Sequence, residues 1–279
     1  MQGTQGRHVL AVRGEEASLR PDLLAVEEPL EIRVTAGGRC FPLAVTMRTP
    51  GHDFELAAGL LYSEGVVRRP EDIAAIVSGD ESEPHPDHVV EVRLAAGVPF
   101  DPQSLSRHLY TSSACGVCGR ASLEQLRGLC PRAPVGDMLL TPALLQGLPS
   151  RLQEAQGLFA RTGGVHAAAL FDREGRLILL REDVGRHNAM DKLVGALLLS
   201  GRLPASDTLV LVSGRASFEL AQKAVLAGIP ALAALGAPSS LAGQVAEAYG
   251  LTLVGFLGAR RFNVYAGAHR LAGEGTSAP

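Results

Sequence analysis

Beyond residue 160, short apolar runs alternate with segments of helical period, and that alternation restricts the chain to one architectural class. The runs are His166–Phe171, Leu177–Leu180, Thr208–Val212, Pro230–Leu235 and Leu251–Phe256. Between them lie Val184–Leu199, Phe218–Ala227 and Ser240–Tyr249, where apolar residues recur three and four apart, as in Met190, Leu193, Val194 and Leu197. The repetition predicts a three-layer α/β domain with a largely parallel sheet. A helix from Pro142 to about Ala160, ending near Gly163-Gly164, leads into it.

The first third reads differently. Leu30–Thr35 and Phe41–Met47 alternate apolar and polar residues around Gly37-Gly38, which predicts a hairpin. Arg48–Asp53 breaks the pattern, and Phe54, Leu56, Ala57, Leu60 and Leu61 then follow at helical spacing up to Gly65. Asp72–Val77 and His88–Leu94 are further strands, with an acidic, proline-containing loop between them. Residues 1 to about 25 carry little pattern and read as a loose lead-in, and the last residues from Gly273 read as a tail. A proline-dotted passage around Cys130–Pro134 and Thr141-Pro142 marks a junction. The expected organisation is a smaller mixed α+β domain over residues 1–110, a loop and linker over 111–140, and a larger α/β domain over 141–279.

Length and composition narrow the function. At 279 residues, 46% hydrophobic and 20% charged, the chain has enough apolar material for full cores and no bias toward disorder. A net charge of −3 gives no global attraction to nucleic acid, so an anionic ligand must be held by local groups. No apolar run reaches membrane-spanning length and the N-terminus lacks a signal-peptide core, so a cytoplasmic protein is expected. Four cysteines are too few for a disulfide scaffold in a chain of this length.

Two of those cysteines, Cys115 and Cys118, stand in Thr111–Arg120, a stretch of small residues with Gly116 and Gly119 and one charge, Arg120. It cannot pack a core, and it reads as an exposed thiol loop. A Cys-x-x-Cys pair can be half of a metal site, a dithiol cycling through a disulfide, or a thiolate carrying a cargo sulfur. Each use requires the thiolate, which Arg120 favours. A structural pair is the plain alternative.

Three strand-to-helix junctions gather polar residues where unpaired helix N–H groups can meet an anion. Arg181–Lys192 brings Arg186, His187, Asn188 and Lys192 to one turn, although Asp183 could simply cap the helix and His187 could pair with Asp191. Ser213, Gly214, Arg215 and Ser217 follow the apolar strand Leu209–Val212, with Ser217 at a helix N-cap position. Gly236–Ser240 repeats the arrangement without charge and reads as a plain helix start. After the last long strand come Phe256, Leu257, Gly258, Ala259, Arg260 and Arg261, with Phe262 and Tyr265 close by. Paired guanidinium groups beside aromatic rings suit a nucleotide or a pterin, though a solvated turn before an edge strand would look the same.

Met47–Gly65, the Cys115/Cys118 loop, Gly163–His166, Arg181–Lys192, Ser213–Lys223 and Gly255–Tyr265, taken in that order, resemble the motifs of the formate dehydrogenase accessory sulfurtransferase family. The resemblance runs from about residue 25 to about residue 270. It implies a sulfurtransferase that moves persulfide sulfur from a cysteine desulfurase to a molybdenum cofactor of the bis(molybdopterin guanine dinucleotide) form, before that cofactor enters formate dehydrogenase. It further implies a homodimer, a cytidine deaminase-like larger domain and no permanently bound metal. The persulfide cysteine of the family falls on Cys115, its companion on Cys118, and its cofactor-binding loop on Phe256–Arg261. Gly258 stands where the family pattern leads one to expect an arginine, and Arg260 follows two places on.

Rival chemistries are weaker on the residues. Zinc deamination needs His-x-Glu and Pro-Cys-x-x-Cys, but Ala114 precedes the pair and no His-x-Glu occurs. A structural zinc site would have to recruit Cys40 and Cys130 without a second Cys-x-x-Cys. A thiol-disulfide oxidoreductase would place its pair just after an early strand. A chaperone that binds the cofactor without sulfur chemistry remains the non-catalytic alternative.

Overall fold

The computed structural model describes residues 3–102, 124, 126–130, 136 and 138–272. Cys115 and Cys118 lie outside the described residues. Near the N-terminus β1 (Thr4–Arg13) and β2 (Glu16–Ala25) form an antiparallel two-stranded ribbon. The stretch read as a loose lead-in is therefore regular structure. Leu10, Val12 and Leu19 on it are more than half exposed, so its apolar residues face solvent rather than marking a core face. Its base is tied down where the Val26 N–H donates to the Gly3 carbonyl at 3.0 Å.

β3 (Glu28–Ala36) and β4 (Arg39–Arg48) form the expected hairpin, closed by Gly37-Gly38. Both glycines take positive φ, 56° and 77°, which a tight two-residue turn between twisted strands requires. With β5 (Ile73–Ser78) and β6 (Val89–Leu94) they build a four-stranded sheet in the order β4-β3-β6-β5. Leu30, Ile32 and Val34 alternate on its buried face and pack, with Val90 and Val92, on Leu56, Ala57 and Leu61 of helix α1 (Asp53–Ser63).

The larger sheet has six strands: β7 (His166–Phe171), β8 (Leu177–Asp183), β9 (Leu209–Val212), β10 (Ala231–Ala234), β11 (Thr252–Gly255) and β12 (Asn263–Ala266). Their order is β12-β11-β10-β9-β7-β8. Only the β9-β10 and β10-β11 pairs are parallel, and the other three are antiparallel. The expected largely parallel sheet is thus a mixed one, because β7 turns straight into β8 through a short loop and β12 returns along the far edge. Helices α4 (Arg186–Leu199), α5 (Phe218–Leu226) and α6 (Ser240–Tyr249) cover one face. The other carries α2 (Pro142–Ala155). Residues along each strand alternate between two cores: Leu170, Val210 and Leu232 face α4–α6, whereas Phe171, Leu211 and Ala233 face α2. Burial on both faces explains why these strands read as unbroken apolar runs.

In α2, Thr141 accepts the Leu144 N–H at 3.1 Å, and Leu145, Leu148 and Leu152 line the buried side, each contributing about 1.5–3 kcal/mol. The helix expected to reach Ala160 breaks at Gln156, and α3 (Gly157–Thr162) follows. Glu182 receives the Leu158 and Phe159 N–H groups at 2.9 and 2.8 Å and so caps the new helix.

α4 is buried on nearly every side because α1 crosses it. A Cβ on Gly195 would lie 1.8 Å from the Glu55 carbonyl oxygen, and one on Gly59 would lie 1.9 Å from that of Asp191. Only glycine at both positions allows this approach, which joins the small sheet's helix to the large domain.

Candidate functional site

Six segments meet at one edge of the large sheet. The ends of β9, β10 and β11 point there, together with the start of β7, the end of β8 and the start of α4. Open α/β sheets collect ligands at such edges. Backbone bonds chain the loops together: the Gly236 N–H donates to the Gly214 carbonyl at 3.0 Å, and the Phe256 N–H donates to the Gly236 carbonyl at 3.0 Å. The three loops after β9, β10 and β11 are therefore one continuous rim.

Ser213 fixes the rim to β7. Its hydroxyl accepts the Ala167 N–H at 2.9 Å and lies 3.4 Å from His166 Nδ1. Burial and the nearby Arg186 charge lower the His166 pKa, against a smaller upward pull from Asp183, so the ring is neutral at pH 7. The Arg186 side chain runs beside Gly214, where a Cβ would lie 3.8 Å from its Cδ. Its Nε is buried with no hydrogen-bond partner among the described residues. Arg215, Ala259, Arg260 and Arg261 are exposed on the same rim.

The loop after β11 is held in an uncommon conformation. Phe256 has φ 52°, a region that residues with side chains rarely enter, and its ring is 44% exposed. A Cβ on Gly255 would lie 2.6 Å from Pro238 Cδ, so only glycine fits ahead of it. Leu257 is buried against the α2-side core, and the Gly258 N–H closes a turn onto the Arg261 carbonyl at 3.0 Å. Gly258 thus shapes the turn that presents Ala259 and Arg260.

His187 does not pair with Asp191. Its Nε2 lies 3.2 Å from both Ser217 Oγ and Glu219 Oε2, and burial, with the charges of Arg186 and Lys223, lowers its pKa to about 4. Two oxygens facing Nε2, one of them a carboxylate, favour the tautomer protonated there. Ser217 is at the N-cap of α5 without capping it through its side chain. Asp191 instead takes Lys223 Nζ at 2.7 Å and the Ser63 hydroxyl at 2.9 Å.

Asn188 and Lys192 are turned away from the rim and spent inside the fold. Lys192, 1% exposed, donates to Asp183 Oδ2 at 2.6 Å and to the Thr49 carbonyl at 2.8 Å. Asn188 donates to Asp183 Oδ1 at 3.1 Å and to the Met47 carbonyl at 2.8 Å. Asp183 also receives the Thr49 and Gly185 N–H groups at 3.1 and 2.8 Å, so one fully buried carboxylate gathers four donors. Arg48 extends the seam, reaching Asp53 Oδ1 at 3.1 Å and Glu28 Oε2 at 3.2 Å. This knot fastens the β3–β4 hairpin beneath the rim; the bonds that cross to Met47 and Thr49 join residues more than a hundred positions apart, which is why spacing alone did not reveal it.

A cavity of about 530 Å³ adjoins the rim on the α2 side, lined in part by Gln156, Phe159, His166, Ser213 and Leu235. Gln156 and Phe159 carry no motif and were missed by sequence reasoning. The only other group of interest among the described residues brings Glu28, Asp87 and His88 within metal-ligand spacing, but Arg48 already occupies Glu28. Cys40 lies on exposed β4 and Cys130 packs against the α4–α6 core, so the two are not gathered as a zinc pair.

The comparisons agree with one another. The model of the FdhD/NarQ family matches residues 25–272. A protein of Streptomyces avermitilis named sulfur carrier protein FdhD is 55% identical over 277 residues, covering 96% of each chain. One of the same name from Mycolicibacterium paratuberculosis is 50% identical, covering 97% of this chain and all of that one. A crystal structure described as that of a formate dehydrogenase accessory protein from Desulfotalea psychrophila superposes with a TM-score of 0.74 at 25% identity, over 96% of this chain and 99% of its own.

Proposed function

This chain belongs to the FdhD/NarQ family, and from that premise we propose that it is a sulfur carrier that matures formate dehydrogenase by loading sulfur onto a molybdenum cofactor. The client is the bis(molybdopterin guanine dinucleotide) form, bound as cargo. The match along residues 25–272, together with relatives named sulfur carriers over nearly their whole length, carries this reading. The rim supports it: Arg186, Arg215, Arg260 and Arg261 offer charge-assisted donors for a diphosphate, and Phe256 offers an exposed ring. The larger domain, with helices on both faces of its sheet, is read as a cytidine deaminase-like scaffold.

The sulfur step belongs to Cys115. Its thiolate attacks the outer sulfur of a cysteine desulfurase persulfide, a new sulfur–sulfur bond forms, and the donor cysteine leaves as thiolate. Cys118 is the companion thiol. The chain acts in the cytoplasm as a homodimer, and formate dehydrogenase receives the loaded cofactor. Among the described residues no helix is long and apolar enough to cross a membrane. Asn188 and Lys192 serve by holding the rim on the domain seam rather than by touching the ligand, whereas Ser213, Gly214, Ser217 and His187 line it.

The test is calorimetric titration with GDP, paired with rescue of formate dehydrogenase activity in cells lacking their own family member. Wild type should bind and rescue, and the double variant Arg260→Ala, Arg261→Ala should lose about tenfold or more in affinity. A wild-type chain that neither binds GDP nor rescues would overturn the reading. A Cys115→Ala, Cys118→Ala variant that rescues fully would favour a chaperone without sulfur chemistry.

A further inference from the structure

The β1–β2 ribbon carries a face that the rest of the described residues leave uncovered. Its register sets Leu10 across from Leu19, Val12 across from Ala17, His8 across from Pro21 and Gly6 across from Leu23, and residues that stand opposite each other share a face. Leu10, Val12, Leu19 and Leu23 on that face are 62%, 63%, 76% and 38% exposed. They join none of the three core clusters among the described residues. A two-stranded ribbon is marginal in water by itself, and a continuous apolar face left to water marks a contact surface.

Charge tells the two faces apart. No side chain of fixed charge stands on the apolar face. The opposite face carries Arg7, Arg13, Glu16, Arg20 and Asp22, with Arg7 across from Asp22 and Arg13 across from Glu16. That face sets its own opposite charges side by side and suits water, whereas the apolar one can meet its own copy without burying a charge. Area points the same way. Two strands of ten residues make a face about 33 Å long and about 10 Å wide. Stacked on the same face of a second copy, it removes on the order of 1,000 Å² in total, the least that a specific interface needs. The family match begins at residue 25, where the ribbon ends, so this face is not spent on the shared fold. The root is held firmly, because a Cβ on Gly3 would lie 3.3 Å from Thr49 Cγ2 and 3.6 Å from Leu158 Cδ2.

We infer that the β1–β2 ribbon is a dimerisation arm, its apolar face stacking on the same face of a second copy about a two-fold axis, with Leu10, Val12 and Leu19 at the centre. A contact that uses one patch twice closes at two copies and goes no further. The inference rests on the proposed homodimer and assigns it a surface that shares no residue with the rim.

Sedimentation equilibrium of the full chain, under reducing conditions from about 1 to about 100 µM, tests it. Wild type is expected to be dimeric over the upper part of that range. Leu19→Glu should weaken self-association by about a hundredfold, because the two-fold axis brings the new charge against its own copy in an apolar contact. Leu19→Lys should do the same, and an equimolar mixture of the two variants should recover the dimer as a Glu/Lys heterodimer. Leu19 is mostly exposed, so the urea midpoint should not move. If Leu19→Glu nevertheless loosens the ribbon, Leu19→Ala keeps the strand and is expected to weaken the dimer about tenfold. Ser18→Glu, on the opposite face, should leave it unchanged. A wild-type dimer that Leu19→Glu and Leu19→Ala leave as tight as before would overturn the arm and keep the homodimer on another surface. A wild type monomeric throughout would overturn both.

Discussion

Gly195 and Gly59 meet back to back where α4 crosses α1: a Cβ on Gly195 would fall 2.8 Å from the Gly59 nitrogen as well as against the Glu55 carbonyl. At this crossing the two backbones touch, while Leu198 packs with Leu56 and Leu61 and Ser63 reaches Asp191 elsewhere along the same helix pair. Ala at either position has nowhere to go without parting the helices. Gly59→Ala and Gly195→Ala are each expected to destabilise by about 1–3 kcal/mol, despite the higher helix propensity of alanine. Urea unfolding midpoints check this, and a stabilised variant would contradict it.

Asp183 and Lys192 form a buried ion pair on the same seam, neither exposed beyond 1%. Removing Lys192 leaves the buried Asp183 carboxylate its three neutral donors but no counter-charge, so Lys192→Met is expected to cost about 3–5 kcal/mol. The double change Lys192→Met, Asp183→Leu should cost less than the sum of the two single changes. Equilibrium unfolding of the four species measures the coupling, and strict additivity would show that the pair does not act as a unit.

Stability should fall with acid in two steps. Burial and the Arg186 and Lys223 charges hold His187 at about 4 against an ordinary 6.5, so the unfolded chain takes up that proton first. Its contribution is full above pH 6.5 and is lost as pH falls toward about 4. Burial alone would raise Glu55, but the Arg181 fork, at 2.5 and 2.7 Å, and His52 bring it down to about 2 from 4.5. That second contribution is present above pH 4.5 and disappears toward pH 2. His187→Gln should flatten the first step and leave the second; unfolding curves from neutrality into acid would show it.

Phe256 keeps a left-handed backbone, φ 52°, at a cost of about 1–2 kcal/mol. Because its ring is 44% exposed, little burial is lost on removing it. Phe256→Gly is expected to raise the urea midpoint while weakening GDP binding, which separates strain held for a ligand from strain without use. A variant that is both less stable and equally able to bind would contradict this.

How far these features can be read from the residues depends on how local their causes are. β7, β9, β10 and β11 announce themselves because both of their faces are buried, and the β3–β4 turn does so because only Gly37-Gly38 suits it. The β1–β2 ribbon does not, since Leu10, Val12 and Leu19 share a face that is exposed and joins no core cluster among the described residues. Strand direction was misread at β7 because it depends on which neighbour the chain returns to. At the candidate site, Ser213–Ser217 and Phe256–Arg261 stand out by residue type. The duty of Lys192 to Thr49 and the unpaired amide of Gln156 emerge only when distant segments are brought together.

Sulfur loading is read most directly by intact-mass spectrometry of the purified chain after incubation with a cysteine desulfurase and cysteine. Wild type should gain one sulfur that a reductant removes, and Cys115→Ala should gain none. Wild type left at its original mass while the desulfurase turns over would contradict the carrier role.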